Sequence, residues 1–520
     1  MPHYAETPLS PVLFLNRAAA VFARRTAIMD GDRRFTYGEF GERSHRLAGL
    51  LSGAGIHTGD RVAALCVNSH VMLELHNGVP MAGAVLVPMN TRLSAGEMTH
   101  IIENSGARLL IATQELAEAA RHVAERTGVR LILAGTPTSE YEQLLDASPV
   151  EPLAAIDENS LLSINYTSGS TGRPKGVMCT HRGAYLQALA MAYHSGLGLD
   201  SAFLWTLPMF HCNGWCFTWA ITAAGAVHIC EREIHPSAIW ATLCAGGVTH
   251  LCGAPTVLTM LAEAATRSPD HKPPRPIRVF TGGAPPTPPL LARLTSLNME
   301  VTHLYGSTET YGPAVINQWQ PEWTDKPAAE RARLNARQGV GNVVTRGVRV
   351  VDMEGHDVPA DGMTLGEIVI RGNNVTPGYY NDEESTRAAH VNGWFRTGDL
   401  GVRFPDGYIE LRDRAKDIII TGGENVASVE VERVLADHPS VLEAAVVGLA
   451  DELWGEVPVA FVVLRPGTSA TEGELIDFVR RRIAHFKAPK QIRFEELPKT
   501  STGKIQKHLL RERLTVPRVP

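Results

Sequence analysis

The sequence predicts an α/β protein: a large N-terminal domain of doubly covered, mostly parallel sheets with a β-rich subdomain, then a small mobile α+β C-terminal domain. Three observations carry that expectation. Over most of the chain, short apolar runs alternate with longer stretches of helical period, which is the rhythm of βαβ units. From about residue 339 the texture changes to glycine-punctuated strands. After Arg412 a compact alternation of helix and strand begins. A chain of 520 residues also exceeds one ordinary core, so more than one compact unit is expected.

Taken in order, the aliphatic runs at 62–67, 84–87, 108–112, 161–166, 226–230, 248–252, 277–280 and 301–305 are read as strands of buried parallel sheet. Between them, 115–126, 183–193, 236–245 and 255–266 carry the longer period of helices. Segment 320–338 is charged and rich in Ala and Arg, which suits a surface helix or loop. Gly366–Arg371 and 407–412 mark the β-rich part. Beyond it come a helix at 428–437, strands at 441–449 and 457–464, a helix at 471–484 and a strand at 490–496. The domain junction is therefore set near Arg412, giving units 1–412 and 413–520.

The formal charge of -6 argues against a nucleic-acid partner, which selects for basic excess. The charge is uneven. Residues 480–520 hold 12 Lys and Arg against Glu495, Glu496 and Glu512, so the tail is +9 and the rest is -15. Such a tail is either a solvated face or a cap for phosphate groups. Seven scattered cysteines with no C-x-x-C pair imply reduced thiols and a cytoplasmic protein. The N-terminus lacks the basic and apolar regions of a signal peptide, and no apolar run reaches 18 residues. A soluble protein with no membrane partner is expected.

The strongest local signal is Tyr166-Thr-Ser-Gly-Ser-Thr-Gly-Arg-Pro-Lys175-Gly-Val177, read as a loop between a strand and a helix. Gly169 and Gly172 let the backbone curl, and Thr167, Ser168, Ser170 and Thr171 supply hydroxyl donors. Lys175 adds a point charge, so the whole suits a phosphate cradle. It is not a Walker A loop, because Gly176 stands where that motif needs Ser or Thr for magnesium.

Together with seven further motifs, this loop resembles the adenylate-forming superfamily of acyl-CoA synthetases, amino-acid adenylation domains and luciferases. The others are Pro208-Met-Phe-His-Cys-Asn-Gly-Trp215, Gly282-Gly-Ala-Pro285, Tyr305-Gly-Ser-Thr-Glu309, Phe395-Arg-Thr-Gly-Asp399, Asp413-Arg-Ala-Lys-Asp417, Gly422-Gly-Glu-Asn425 and Pro498-Lys-Thr-Ser-Thr-Gly-Lys504. They occur in the family's order and span nearly the whole chain. The resemblance implies ATP-dependent activation of a carboxylic acid as an acyl-adenylate, with transfer to coenzyme A and a homodimer as an open assembly. It assigns nucleotide contacts to Thr167, Ser168, Gly169, Ser170, Thr171, Gly172, Lys175, Gly283, Ala284, Pro285, His303, Tyr305, Gly306, Ser307, Thr308, Asp399, Arg414 and Asn425. Glu309 would hold Mg2+, although an exposed loop carboxylate is the plain alternative. Asp399 would accept the ribose hydroxyls, and Arg414 would add a ribose or phosphate contact unless it is only a surface ion pair. Lys416 would be the hinge, and Gly422 and Gly423 would line the coenzyme A route. Lys504 would bridge the substrate carboxylate and the α-phosphate.

The segment 205–230 contains no acid. Amino-acid adenylation domains place an Asp where His211 stands, so an ammonium-bearing substrate would be left unpaired here and a simple small to medium acid is favoured. His211, Asn213, Trp215, Gly282 and Gly283 are the expected acyl-pocket walls. His211 would pack over the carboxylate or gate the pantetheine route, unless it is a core histidine. Trp215 would shorten the cavity or face the core. Other chemistries find no footing: there is no H-E-x-x-H, no G-x-S-x-G, and His70 and His76 are off a common helical face. Two rivals stay open: an amine or carrier-protein thiol as acceptor, and a non-catalytic nucleotide-binding relative.

Overall fold

The aliphatic runs become two parallel sheets whose facing surfaces share one core. The computed structural model describes residues 7–168, 174–268, 271–414, 417–421, 424–500 and 504–515. In the first sheet, strands Arg130–Ala134, Ala107–Thr113, Arg61–Leu65, Val85–Pro88 and Leu161–Ser168 lie side by side and parallel, with Pro174–Thr180 antiparallel at the edge. The second sheet has nine strands. Its parallel centre runs Met299–Ser307, Ile277–Thr281, His250–Cys252, Ala202–Trp205, Val227–Cys230, Thr26–Asp30, and antiparallel strands flank both ends. Helix His70–Met81 is buried along all 12 residues, as a helix between two apolar layers must be. One cluster joins Val62 and Leu86 of the first sheet to Ile28 and Trp205 of the second through Met72, Leu47 and Phe217. All seven cysteines are free.

One expectation is corrected. The segment after the phosphate loop is a strand, Pro174–Thr180, and helix His181–Ser195 begins only after it. Ser168 pairs with Pro174 in the register, so the loop closes a hairpin instead of opening a helix. Residues 174–180 alternate between buried and half-buried along most of their length, a period of two that the nearby helical pattern of 183–193 overshadows.

The glycine-punctuated region forms an antiparallel sheet of Gly347–Val351, Gly366–Arg371, Trp394–Arg403, His390–Val391 and Ile409–Arg414. Pairing with this sheet ends at Arg414, and the next sheet starts at Ile419. That last sheet holds Glu424–Val426, Ile419–Thr421, Gly455–Leu464, Val441–Asp451 and Gln491–Phe494, covered by helices Ser428–Ala436, Glu472–Arg480 and Lys507–Thr515. Among the described residues, polar contacts that tie it to the rest include Arg433 to Glu410, Arg465 to Glu263 at 3.4 Å, and the Ser428 hydroxyl donating to Asp413 at 2.6 Å.

Buried charge ties the N-terminal helices to the second sheet. His70 Nδ1 lies 2.5 Å from Asp30, and its other nitrogen faces Glu142 at 3.4 Å. Arg232 pairs with Asp30 at 2.8 Å, and Arg43 spans Glu74 and Glu142 at 2.5 and 2.8 Å. Burial pushes the His70 pKa down, but the two carboxylates win and hold it above its usual value. Burial raises Glu142, yet His70 and Arg43 bring it down to about 2; Asp30 is held low in the same way by His70 and Arg232.

The network's contribution follows from those directions. The raised His70 stabilises fully below an unfolded value of about 6.5 and is lost as pH rises through its folded pKa; the depressed acids stabilise above about 4.5 and are lost as pH falls. The urea unfolding midpoint is expected to peak between about pH 5 and 6.5. In His70→Gln the alkaline decline should flatten, and an equal decline in both proteins would show that His70 is neutral in the fold.

Candidate active site

Segments distant in sequence meet beside the hairpin. Thr167 and Lys175 face each other across its two strands, so loop closure brings a hydroxyl and an ammonium to one edge. Lys175 Nζ donates to Ser385 Oγ at 2.5 Å, lies 3.6 Å from Asp382, and stands 5.5 Å from the Tyr379 ring centre. Gly169, Ser170, Thr171 and Gly172 lie outside the described residues, as does the Ser168 side chain.

Strand Met299–Ser307 runs into a single helical turn, Thr308–Thr310, that presents Glu309. The turn is closed by Ser307 N donating to Thr310 Oγ1 at 2.9 Å. Gly306 is required there, because a Cβ would fall 2.2 Å from the Gly312 carbonyl oxygen. Glu309 Oε1 accepts from the Tyr379 hydroxyl at 2.9 Å, which leaves its second oxygen for a cation. Among the described residues no cluster of three metal-ligating side chains exists. A single carboxylate fits Mg2+, which takes one or two protein carboxylates and completes its shell with phosphate and water.

Asp399 is buried and fixed from two sides. The Tyr305 hydroxyl donates to one oxygen at 2.7 Å and Arg414 Nε lies 3.3 Å from the other. Asp399 and Arg414 are partners across adjacent antiparallel strands, so the sheet register sets the pair. His303 on the same strand as Tyr305 is buried, and its Nδ1 lies 3.1 and 3.0 Å from the Ala336 and Arg337 carbonyls. Two carbonyls require the proton on Nδ1, so that nitrogen is spent on the scaffold. Burial takes this histidine down to about 4.

The acyl-pocket candidates sit on an unusual backbone. Cys212, Asn213, Gly214, Trp215 and Cys216 all have positive φ, between 43° and 62°, a left-handed turn with only one glycine. Each non-glycine residue there costs roughly 1–2 kcal/mol. The turn is held by its contacts. Asn213 Oδ1 accepts from Asn165 Nδ2 at 2.7 Å, Ser163 Oγ at 3.0 Å and Tyr311 OH at 3.3 Å. On the approach, Asn68 donates to the Trp205 and Leu207 carbonyls and accepts from Met209 N. Trp215 is buried, its ring lying 3.3 Å from where a Cβ on Gly282 would stand. Gly283 has φ +84° with open space around its missing Cβ, so backbone conformation calls for glycine there. Ala284 continues the bend, and Pro285 follows it.

His211 precedes the left-handed turn. Burial lowers its pKa to about 4, and the charge of Lys504 pushes in the same direction. The imidazole is therefore neutral at pH 7. Lys504 is anchored by its own backbone: its N–H donates to Thr500 Oγ1 at 3.0 Å and its carbonyl accepts from Thr500 N at 2.8 Å. Lys416, Gly422 and Gly423 lie outside the described residues; Asn425 is described in backbone only, paired with Ile420.

Sequence reasoning missed Tyr379, Asp382, Ser385 and Asn68. A signal for Asp382 existed: Asn381-Asp382-Glu383-Glu384 reads as an N-cap followed by an acidic first turn, and Asp382 does cap helix Glu383–Ala389 by accepting from Ser385 N at 2.9 Å.

Comparison with known proteins identifies the family. Residues 15–380 match the model of the AMP-binding enzyme family, and residues 430–504 match that of the AMP-binding enzyme C-terminal domain. An acetate–CoA ligase of Humulus lupulus is 40% identical over 97% of this chain and 94% of its own. A 2-methylpropanoate–CoA ligase of the same plant is 41% identical over 98% and 95%. The solved o-succinylbenzoate CoA synthetase of Bacillus subtilis, in complex with its acyl-adenylate intermediate, superposes with a TM-score of 0.83 at 29% identity, covering 98% of this chain and 99% of that one. From the phosphate hairpin to the Lys504 loop, the chain belongs to the AMP-binding enzyme family.

Proposed function

We propose that the protein joins a short or branched carboxylic acid to coenzyme A in two steps, consuming ATP and releasing pyrophosphate and AMP. The observation that carries this reading is the gathering of Lys175 and Glu309 around Tyr379 at the edge of the phosphate hairpin, in a chain of the AMP-binding enzyme family whose segment 205–230 holds no acid. In the first step a carboxylate oxygen attacks the α-phosphorus and pyrophosphate leaves. In the second the coenzyme A sulfur attacks the acyl carbon and AMP leaves.

Each residue has a task in that scheme. Lys175 and the loop hydroxyls bind the departing phosphates, and Glu309 would hold Mg2+, which would supply charge neutralisation there. Asp399 takes the ribose hydroxyls, with Tyr305 and Arg414 fixing its two oxygens. Lys504 spans carboxylate and α-phosphate, where two anions meet. His211 stays uncharged and so packs over the acyl carboxylate without drawing it away from Lys504. The lobe that follows Arg414 turns about Lys416 between the steps, letting pantetheine pass Gly422 and Gly423. Trp215, packed against Gly282, closes the pocket to long chains, and the acids named for the two plant relatives support a small one.

The direct test is acid-dependent pyrophosphate release over a panel of C2–C12 and aromatic acids, with mass analysis of products. No release with any acid overturns the reading, and an amide without a thioester reassigns the acceptor. Lys504→Ala should lose roughly 3–4 kcal/mol of transition-state stabilisation, about 10²- to 10³-fold in adenylation, while thioester formation from supplied acyl-adenylate stays near the parent rate. Equal loss of both steps would count against a lysine that serves only the first. Trp215→Ala should shift the ratio of kcat/KM for hexanoate over acetate upward by about tenfold or more. Because the ratio is taken within one variant, a general loss of folded protein cancels, and an unchanged ratio removes Trp215 from the pocket wall.

A further inference from the structure

The segment 376–386 touches the two charged groups that flank the phosphate loop, and it is stitched to both of their backbones. Met178 N donates to the Gly378 carbonyl at 3.1 Å, and Tyr380 N donates to the Gly176 carbonyl at 2.7 Å, so the segment runs beside the strand that carries Lys175. Thr376 N donates to the Glu309 carbonyl at 2.7 Å, and Thr376 Oγ1 donates to the Met178 carbonyl at 2.8 Å. From this frame Tyr379 reaches Glu309 with its hydroxyl, and Ser385 and Asp382 reach Lys175.

We propose that Tyr379 and Ser385 are positioning residues for the ATP polyphosphate: Tyr379 fixes the carboxylate of Glu309, and Ser385 fixes the ammonium of Lys175, before the nucleotide arrives. The inference rests on the function proposed above. It assigns these two side chains to the β- and γ-phosphates and not to the adenosine or the acyl group.

Two effects compete at Lys175. A lysine free to rotate loses conformational freedom when it binds phosphate, so a lysine already held binds better. A lysine held by a carboxylate, however, must give that carboxylate up. The distances decide between them. The bond at 2.5 Å goes to a neutral hydroxyl, while Asp382 stands off at 3.6 Å and spends an oxygen on capping Ser385 N. An ammonium has three donors, and one bond to Ser385 leaves others for phosphate. Holding outweighs competition. At Glu309 a single hydrogen bond from Tyr379 fixes one oxygen and leaves the second for the cation, so the carboxylate is oriented without being neutralised.

Ser385→Ala removes only the hydroxyl, since the helix cap uses the backbone N–H. Tyr379→Phe removes only the hydrogen bond to Glu309. The probes are α,β-methylene-ATP with magnesium, which keeps all three phosphates and resists cleavage, and AMP, which lacks the β- and γ-phosphates. By calorimetry each variant should bind the triphosphate analogue about 2- to 10-fold more weakly than the parent and AMP equally well. For Tyr379→Phe the difference should vanish when magnesium is omitted. Thioester formation from supplied acyl-adenylate, which involves no pyrophosphate, should match the parent. A variant that weakens AMP and the analogue alike, or lowers the melting temperature in step with both half-reactions, overturns the inference in favour of a packing role. Tighter analogue binding in Ser385→Ala overturns it too, because Ser385 would then be competing for the lysine. A parent protein that binds neither nucleotide defeats the underlying reading as well.

Discussion

Like charges repel, and the chemistry fitted to this site asks one anion to attack another. The arrangement of the chain follows from that constraint. Positive and polar groups are brought from Lys175 in the first sheet's hairpin, Arg414 at the edge of the third sheet, and Lys504 in the C-terminal lobe. Each is held by a different device: Lys175 by a hydroxyl at 2.5 Å, Arg414 by a cross-strand aspartate, and Lys504 by two backbone contacts to Thr500. No single element could supply all three, because charges of one sign on one element would destabilise it before any substrate arrived. Distribution over several layers lets Lys175 and Arg414 each fold beside an acid of its own, Asp382 and Asp399.

The scaffold meets the same problem with buried charge. Asp30, His70, Glu142, Arg43, Glu74 and Arg232 compensate one another under the N-terminal helices, where lone ions would be costly. The left-handed turn of 212–216 is a second cost, borne by the polar cluster of Ser163, Asn165 and Tyr311 around Asn213. Both features lie next to strands that carry site residues, so the firmness of the core and the geometry of the pocket have common supports.

Much of this was legible in the residues alone. Parallel strands read as aliphatic runs because both faces are covered, and the ordered motifs pointed to the family that the comparisons show. The hairpin was not legible: the helical period of 183–193 drew the reading past a seven-residue strand. Tyr379 and Ser385 were missed for another reason. Lys175 and Ser385 are 210 residues apart, and a single sequence carries no sign that two ordinary polar side chains so distant will touch. His303 shows the reverse limit, since a motif position could not reveal that carbonyls of residues 336 and 337 would accept the hydrogen bond from its Nδ1–H. The left-handed turn had one glycine to announce it among five residues.

That turn has a bearing on how substrate range can change over descent. Five successive backbone positions locked in an uphill conformation cannot absorb an inserted or deleted residue without losing the bonds to Asn213 that hold them. The surface this turn displays is therefore open to revision only by exchanging side chains on a fixed frame. Lineages that diversify from such a protein should differ in which residues they display at 211, 213 and 215, and keep the spacing between those positions constant.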